Sequence, residues 1–278
     1  MSVKIHGYTR EDLMAMDVSR LRALLHERTH HNIEVMLYRI LKGKMKKPRN
    51  FGSQAKILLD IWMERELPTV TPDLQWCIRH VEIAEKLNAG EPVELDTEPL
   101  KPFSDVEIET VKKLLYERRS IRQFTDKRVP EWMIREILYA GLMSPQGCNV
   151  DSRRFLVLRK PEEWKLVRSD IPIENGVMML VCQDMSVYKA LKHYAKRAPQ
   201  NIYFDAACAA DHICLMAHAL GLGACWLTHG EETQKRVRQY FGLPATFMSR
   251  CHIIVGWPDE APIKSLRMSL DDAIIKKE

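Results

Sequence analysis

The chain has 278 residues, of which 46% are hydrophobic and 28% charged, with a formal net charge of +5. That composition describes a globular chain long enough for one large domain or two, and excludes a disordered or membrane-embedded one. The modest positive balance suits an anionic cofactor better than a nucleic-acid surface.

The first ten residues carry Lys4, His6 and Arg10 with no apolar segment, so no export leader is expected. The longest weakly polar run, Ala206 to Trp226, contains Asp211, His212 and His218 and is not a membrane span. The cysteine count is 7, with no close pairs, which reads as reduced thiols in a cytoplasmic protein without a zinc or iron–sulfur module.

From Tyr8 to Asn88 the pattern is helical. Leu21, Leu24 and Leu25 make one apolar stripe, Ile33, Met36, Leu37, Ile40 and Leu41 a second, Ile57, Leu58, Ile61 and Trp62 a third, and Ile78, Val81 and Leu87 a fourth. Apolar residues spaced three and four apart predict amphipathic helices packed on one another. Within this region His26-Glu27-Arg28-Thr29-His30 matches the His-Glu-x-x-His pattern of zinc peptidases. It falls at a predicted helix end and lacks a third ligand, so a polar helix terminus accounts for it better than a metal site. The basic run Lys42 to Arg49 has no interleaved aromatic residues and reads as a solvated loop.

Three units follow from this patterning: a helical N-terminal extension at 1–90, a linker at 91–104 rich in Pro, Glu and Asp, and a second domain at 105–278. The second domain opens with a predicted helix, Asp105 to Glu117. Arg118, Arg119, Ser120 and Arg122 follow, three guanidinium groups and a hydroxyl that match phosphate oxygens. Pro130 starts a helix carrying Ile134, Ile137, Leu138 and Gly141, which breaks at Ser144-Pro145 before a Gly-Cys-Asn loop. Phe155 to Leu158 is a predicted buried strand, Trp164 to Arg168 a short helix, Val177 to Cys182 a second strand, and Gln183 to Asn201 a polar stretch. A small-residue helix spans Phe204 to Leu220 and ends at Gly221-Leu222-Gly223. Ala224 to Thr228 and His252 to Gly256 are further apolar strands, and Pro262 to Arg267 is a basic loop.

In that order the segments resemble the FMN-dependent nitroreductase family. Arg118, Ser120, Arg122, Phe124, Pro145 and Asn149 match its opening pattern, and Arg267, with Lys264, its closing one. The departure is Asp151-Ser152-Arg153, where the family pattern has Gln-Pro-Trp. The resemblance implies an α+β fold, a nitroreductase-like mixed sheet flanked by helices, and covers about Ile108 to Ile275. It implies an intertwined homodimer with FMN at the interface and a small-molecule substrate. Phosphate contacts fall to Arg118, Arg119, Ser120, Lys264 and Arg267. Ring and ribityl contacts fall to Pro145, Asn149, Trp226, Leu227 and Thr228. Arg122 would lie beside the ring, and the amides of Thr228 and His229 near its reactive edge, so these three carry the catalytic assignment. The implied reaction passes electrons from NAD(P)H through FMN to a nitroaromatic, quinone or similar electrophile. Dehalogenation, flavin fragmentation or a non-catalytic flavin-binding regulator are the alternatives the family's breadth leaves open.

Overall fold

The computed structural model describes residues 4–95, 97–167, 175–192, 194–197 and 200–275. In chain order the helical region holds α1 (Arg10–Met14), α2 (Val18–Thr29), a π-helical turn (His30–Glu34), α3 (Val35–Leu41), α4 (Ser53–Glu64) and α5 (Pro72–Ala89). Then come α6 (Asp105–Glu117), α7 (Glu131–Leu142), a 3-10 turn (Gly147–Asn149), β1 (Arg153–Leu158), α8 (Pro161–Trp164), β2 (Val177–Asp184), α9 (Met185–Ala190) and α10 (Tyr194–Arg197). The chain finishes with α11 (Asn201–Ala219), β3 (Gly223–Thr228), α12 (Glu231–Phe241), β4 (Phe247–Gly256) and α13 (Leu270–Ala273). Arg168, expected to close the short helix now seen as α8, lies outside the described residues.

The four strands form one sheet in the order β1-β2-β4-β3, with every neighbouring pair antiparallel. The parallel component among the described residues is a single bridge from Ser120 to Ala224. Strand β2 is buried at all its positions, which explains its unbroken apolar sequence. Its side chains alternate between two cores, as strand geometry requires. Val177, Met179 and Val181 meet α7 and α11 through Ile137, Ala209 and Ile213. Met178, Leu180 and Cys182 meet Phe124, Leu158 and Val237 on the other face. The alanines of α11 let it lie close against α7, where a Cβ on Gly141 would come within 2.9 Å of Ile213.

The helical stripes pack largely as their spacing predicts, with Leu21, Leu24, Leu25, Ile33, Leu58 and Ile61 fully buried. Leu41 does not: the π turn rotates the helix face and leaves it 37% exposed. The His-Glu-x-x-His residues turn to separate partners, His26 to Asp73 at 2.8 Å, Glu27 to His6 and Arg28, and His30 to Glu34 at 2.6 Å. Burial works against charge on Glu27, yet the hydrogen bonds from His6 and Arg28 outweigh it and hold its carboxyl at about 2.

One expectation needs correcting. The stretch from Gln183 to Asn201, read as polar, contains α9, whose Val187, Tyr188 and Ala190 are buried. Two of its polar groups find partners: Asp184 caps α9 by accepting from the Ser186 amide, and the Tyr188 hydroxyl donates to Asp205 on α11. The helical region packs directly on the sheet domain. One core contains Leu24, Leu25, Phe51 and Trp62 together with Val150, Val187, Tyr188, Leu191 and Ile202 from the sheet domain.

That shared core makes a prediction. Removing residues 1–97 would expose Val150, Val187, Tyr188, Leu191 and Ile202, each worth roughly 1.5–3 kcal/mol when buried. The sum rivals the roughly 5–15 kcal/mol by which a domain is usually stable. A chain starting at Glu98 should therefore lack a cooperative thermal unfolding transition, and a sharp transition in that fragment would show the two parts to be separable.

Candidate functional site

The arginine-rich segment is placed by a close crossing. After α6 ends at Glu117, the backbone becomes extended and Ser120 bridges Ala224, with the Ile121 amide donating to the Ala224 carbonyl at 3.0 Å. Ile121 and Phe124 then pass over Gly223 and Gly256, which are register partners on β3 and β4. A Cβ on Gly223 would fall 2.6 Å from Ile121, and one on Gly256 2.7 Å from Phe124. Neither contact leaves room for a side chain on the sheet. The Glu260 carboxylate accepts from the amides of Arg122 and Gln123, and the Asp259 amide donates to the Gln123 carbonyl at 2.9 Å. This ties the segment to the loop that follows β4.

That tie brings the predicted phosphate residues together. A cleft of about 370 Å³ is lined by Arg118, Arg119, Ser120, Lys264 and Arg267, with Leu115 and Tyr116 beside them. Arg119 also donates to the Pro262 carbonyl at 2.7 Å. No carboxylate among the described residues lines this cleft, so four cations face one space together with the hydroxyls of Ser120 and Ser265. A second cleft of about 670 Å³, lined by residues including Leu114, Arg118, Ile121, Cys214 and Leu222, lies between α6 and the end of α11.

The ring-side residues divide. Trp226, Leu227 and Thr228 lie on β3, an edge strand, with Trp226 44% exposed. Antiparallel pairing alternates the direction of the backbone groups. The Ala224 carbonyl faces Ile121, so the groups of Trp226 and Thr228 share its outward direction. The His229 amide instead donates to the Arg250 carbonyl at 3.0 Å. Of the two amides expected at the reactive edge, Thr228's faces outward and His229's is already engaged within the chain.

The His229 ring is likewise turned inward. Its Nδ1 lies 3.1 Å from Nδ1 of His252, and its Nε2 3.1 Å from the Ser249 hydroxyl. Burial lowers both imidazoles to about 4, with His229 adding to the effect on His252.

Pro145 and Asn149 stand elsewhere. Both are exposed on the loop between α7 and β1, where Cys148, Asn149 and Asp151 take left-handed φ values of 53°, 51° and 50°. The Gly147 amide donates to Asp205 at 2.9 Å, near the start of α11, whereas Arg118 shares its cleft with His218 near the end of that helix. At about 1.5 Å of rise per residue, roughly 20 Å of α11 separates the two groups. Sequence reasoning missed Glu260 and Asp205, which position the two segments; each is a single acidic residue with no local motif to mark it.

A profile of the Nitroreductase family matches residues 115–165 and 160–257, just over half of the chain. The chain belongs to that family. A Methanothermobacter thermautotrophicus protein assigned as an NADH dehydrogenase/NAD(P)H nitroreductase is 27% identical over 196 residues, covering 68% of this chain and 91% of its own. Among solved structures, a nitroreductase in complex with FMN from Desulfovibrio desulfuricans is 29% identical, with a TM-score of 0.52 over 60% of this chain and 96% of that one. The fold is also shared with the nitroreductase CinD from Lactococcus lactis in complex with 4-nitrophenol, at 21% identity and a TM-score of 0.55 over 61% of this chain and all (100%) of that one. The α+β fold is thus that of the nitroreductases, and α1 to α5 precede the matched region. No helix among the described residues is long and apolar enough to cross a membrane.

The buried histidine pair sets a pH dependence. Both folded-state values lie below the ordinary 6.5, so the unfolded chain takes up protons first as pH falls. Stability is full above about 6.5 and is lost as pH falls towards 4. Thermal melts across that window should show a falling midpoint, and His252→Leu should flatten the slope. An unchanged slope in that variant would remove the pair as its cause.

Proposed function

We propose that the protein binds FMN and acts as an oxidoreductase that takes hydride from NAD(P)H and passes electrons to a nitroaromatic, quinone or similar electrophile. The observation that carries this reading is the cleft of Arg118, Arg119, Ser120, Lys264 and Arg267, where two segments far apart in sequence present a phosphate-sized concentration of donors. Guanidinium forks pair with phosphate oxygens two at a time, and the serine hydroxyl adds a small donor between them. The names of the relatives support the nicotinamide donor, and the FMN held by the Desulfovibrio protein supports the cofactor. FMN supplies a ring that accepts and releases hydride; the chain supplies its position and surroundings.

In this reading Arg118, Arg119, Ser120, Lys264 and Arg267 hold the phosphate. Trp226, Leu227 and the outward amide of Thr228 line the ring from the open edge of β3, and Arg122 sets a positive charge beside it. His229 has a supporting place, holding the end of β3 to β4, instead of a catalytic one. Asn149 and Pro145 reach the ring from a second copy of the chain, because about 20 Å of helix separates them from Arg118 within one protomer.

Unpartnered apolar surface supports the homodimer. Helix α6 buries none of its residues, and Val106, Leu115 and Tyr116 on it are exposed. Ile263, Leu266 and Leu270, in the segment after β4, are exposed by 75% or more. Patches of this extent normally mark an interface.

The first test is colour. The purified protein should be yellow and should bleach on anaerobic addition of NADH or NADPH, and an acceptor panel then identifies the electrophile. A protein that binds no FMN when supplied with it overturns the reading. Removing one charge-assisted partner costs roughly 1.5–3 kcal/mol. Arg118→Ala and Arg267→Ala should therefore each weaken FMN binding about ten- to a hundredfold by fluorescence titration, and unchanged affinity in both would displace the phosphate from this cleft.

Arg122 should tune the cofactor more than it holds it. The reduced ring carries negative charge that a nearby guanidinium stabilises, whereas the oxidised ring is neutral. Arg122→Gln should lower the reduction potential of bound FMN. Spectroelectrochemistry giving an equal or higher potential would remove Arg122 from the ring.

A further inference from the structure

Arg153 is the unusual residue of the loop that carries Asn149. It stands at the start of β1 with 5% of its surface exposed. No carboxylate is within ion-pair distance of it among the described residues, and burial lowers the pKa of its guanidinium. What surrounds it is a set of oxygens on one short stretch of chain. The guanidinium donates to the Gly141 carbonyl at 3.0 Å, the Ser144 carbonyl at 2.8 Å, the Ser144 hydroxyl, and Oε1 of Gln146 at 3.1 Å. The two carbonyls belong to the end of α7 and the residues just beyond, where a helix leaves carbonyls unpaired and its dipole is negative. A helix terminus therefore takes the place of a carboxylate as the partner of this cation.

The neighbouring residue closes the arrangement. Gln146 donates from Nε2 to the Ser152 hydroxyl at 2.9 Å, and that hydroxyl donates onward to Oε1 of Gln183 at 2.5 Å. Both ends of the Gln146 amide are thus held by Ser152 and Arg153, two of the three residues that depart from the Gln-Pro-Trp pattern. Further along, the Gly147 amide is held by Asp205, which also accepts from Tyr188. Val150, just past Asn149, is buried in the core shared with the N-terminal helices. Asn149 is exposed between these fixed points, in a left-handed conformation that the flanking contacts maintain.

We propose that Arg153 is a positioning residue for the cofactor site: its fork caps α7 and fixes Gln146, and through them holds Asn149 in the geometry in which it meets FMN. The proposal rests on the reading above that Asn149 contacts FMN. A planar fork is needed because several acceptors must be met at once in fixed directions, which an ammonium group cannot do. Arg153→Lys keeps the charge and loses the fork; Arg153→Met loses both.

The test uses the full-length protein and two measurements, the FMN dissociation constant from flavin fluorescence and the cooperativity of thermal unfolding without FMN. Arg153→Lys should unfold cooperatively yet bind FMN at least tenfold more weakly. The decisive comparison is with Asn149→Ala. If Arg153 acts through Asn149, adding Arg153→Lys to Asn149→Ala should weaken FMN binding by less than threefold further, because coupled residues do not contribute additively. A purely structural brace would lower the melting temperature while leaving the FMN dissociation constant unchanged, or would give losses that multiply in the double variant; either result overturns the proposal. Arg153→Met provides the larger perturbation, and should it fail to fold, the lysine variant alone decides. A wild-type protein that binds no FMN overturns the cofactor reading and this inference with it, whereas a wild type that binds FMN alongside unaffected variants overturns only the inference.

Discussion

The arrangement of the sheet domain depends on one steric fact: a segment of chain lies across a pair of facing glycines. Gly223 and Gly256 are partners on β3 and β4, and Ile121 and Phe124 occupy the space their side chains would fill. Because a Cβ at either position would fall below 3 Å from the crossing side chain, the crossing and the glycines require one another. It fixes where α6 ends, where Arg118 to Arg122 emerge, and how the loop after β4 returns beside them. The Glu260 carboxylate then secures the return by accepting from two amides of the crossing segment. Four cations in one cleft repel one another, so their convergence must be imposed by packing elsewhere, and the glycine crossing imposes it.

Much of this was legible in the sequence because it rests on local patterns. The buried strands announce themselves as apolar runs, the N-terminal helices as stripes, and the arginine segment as an excess of guanidinium over what a turn needs. The order of segments singled out Trp226 to Thr228 and Lys264 to Arg267 as candidates, and the fold brings Lys264 and Arg267 beside Arg118. Long-range pairings were not legible. Glu260 is one acid after a strand, and only the fold brings it to Arg122. The side to which His229 turns is set by strand alternation and by the position of His252, neither of which periodicity around His229 reveals.

The division of the chain into an extension, a linker and a domain rests on composition alone. Composition marks a linker at 91–104, but composition does not say which surfaces meet. The buried face of α9 is hidden in a stretch of Lys, Tyr and Ser, because Tyr188 and Asp184 find hydrogen-bond partners while Val187, Ala190 and Leu191 pack inward. That face meets the helical region, and the core is continuous across what the sequence presents as two units. A helical region bound in this way supports the sheet domain beside the Asn149 loop, through the shared burial of Val150.

The loop itself shows how a departure from a family pattern can be absorbed. A buried guanidinium with four acceptors is directional. The desolvation cost of such a hydrogen-bonded network is offset only when most of its members are satisfied. Gln146 supplies one of those acceptors and donates to Ser152, so Gln146, Ser152 and Arg153 form one device. A change at Ser152 removes a partner from Gln146 and Gln183, and one at Gln146 removes an acceptor from the Arg153 fork, which couples positions that sequence order alone would treat as independent.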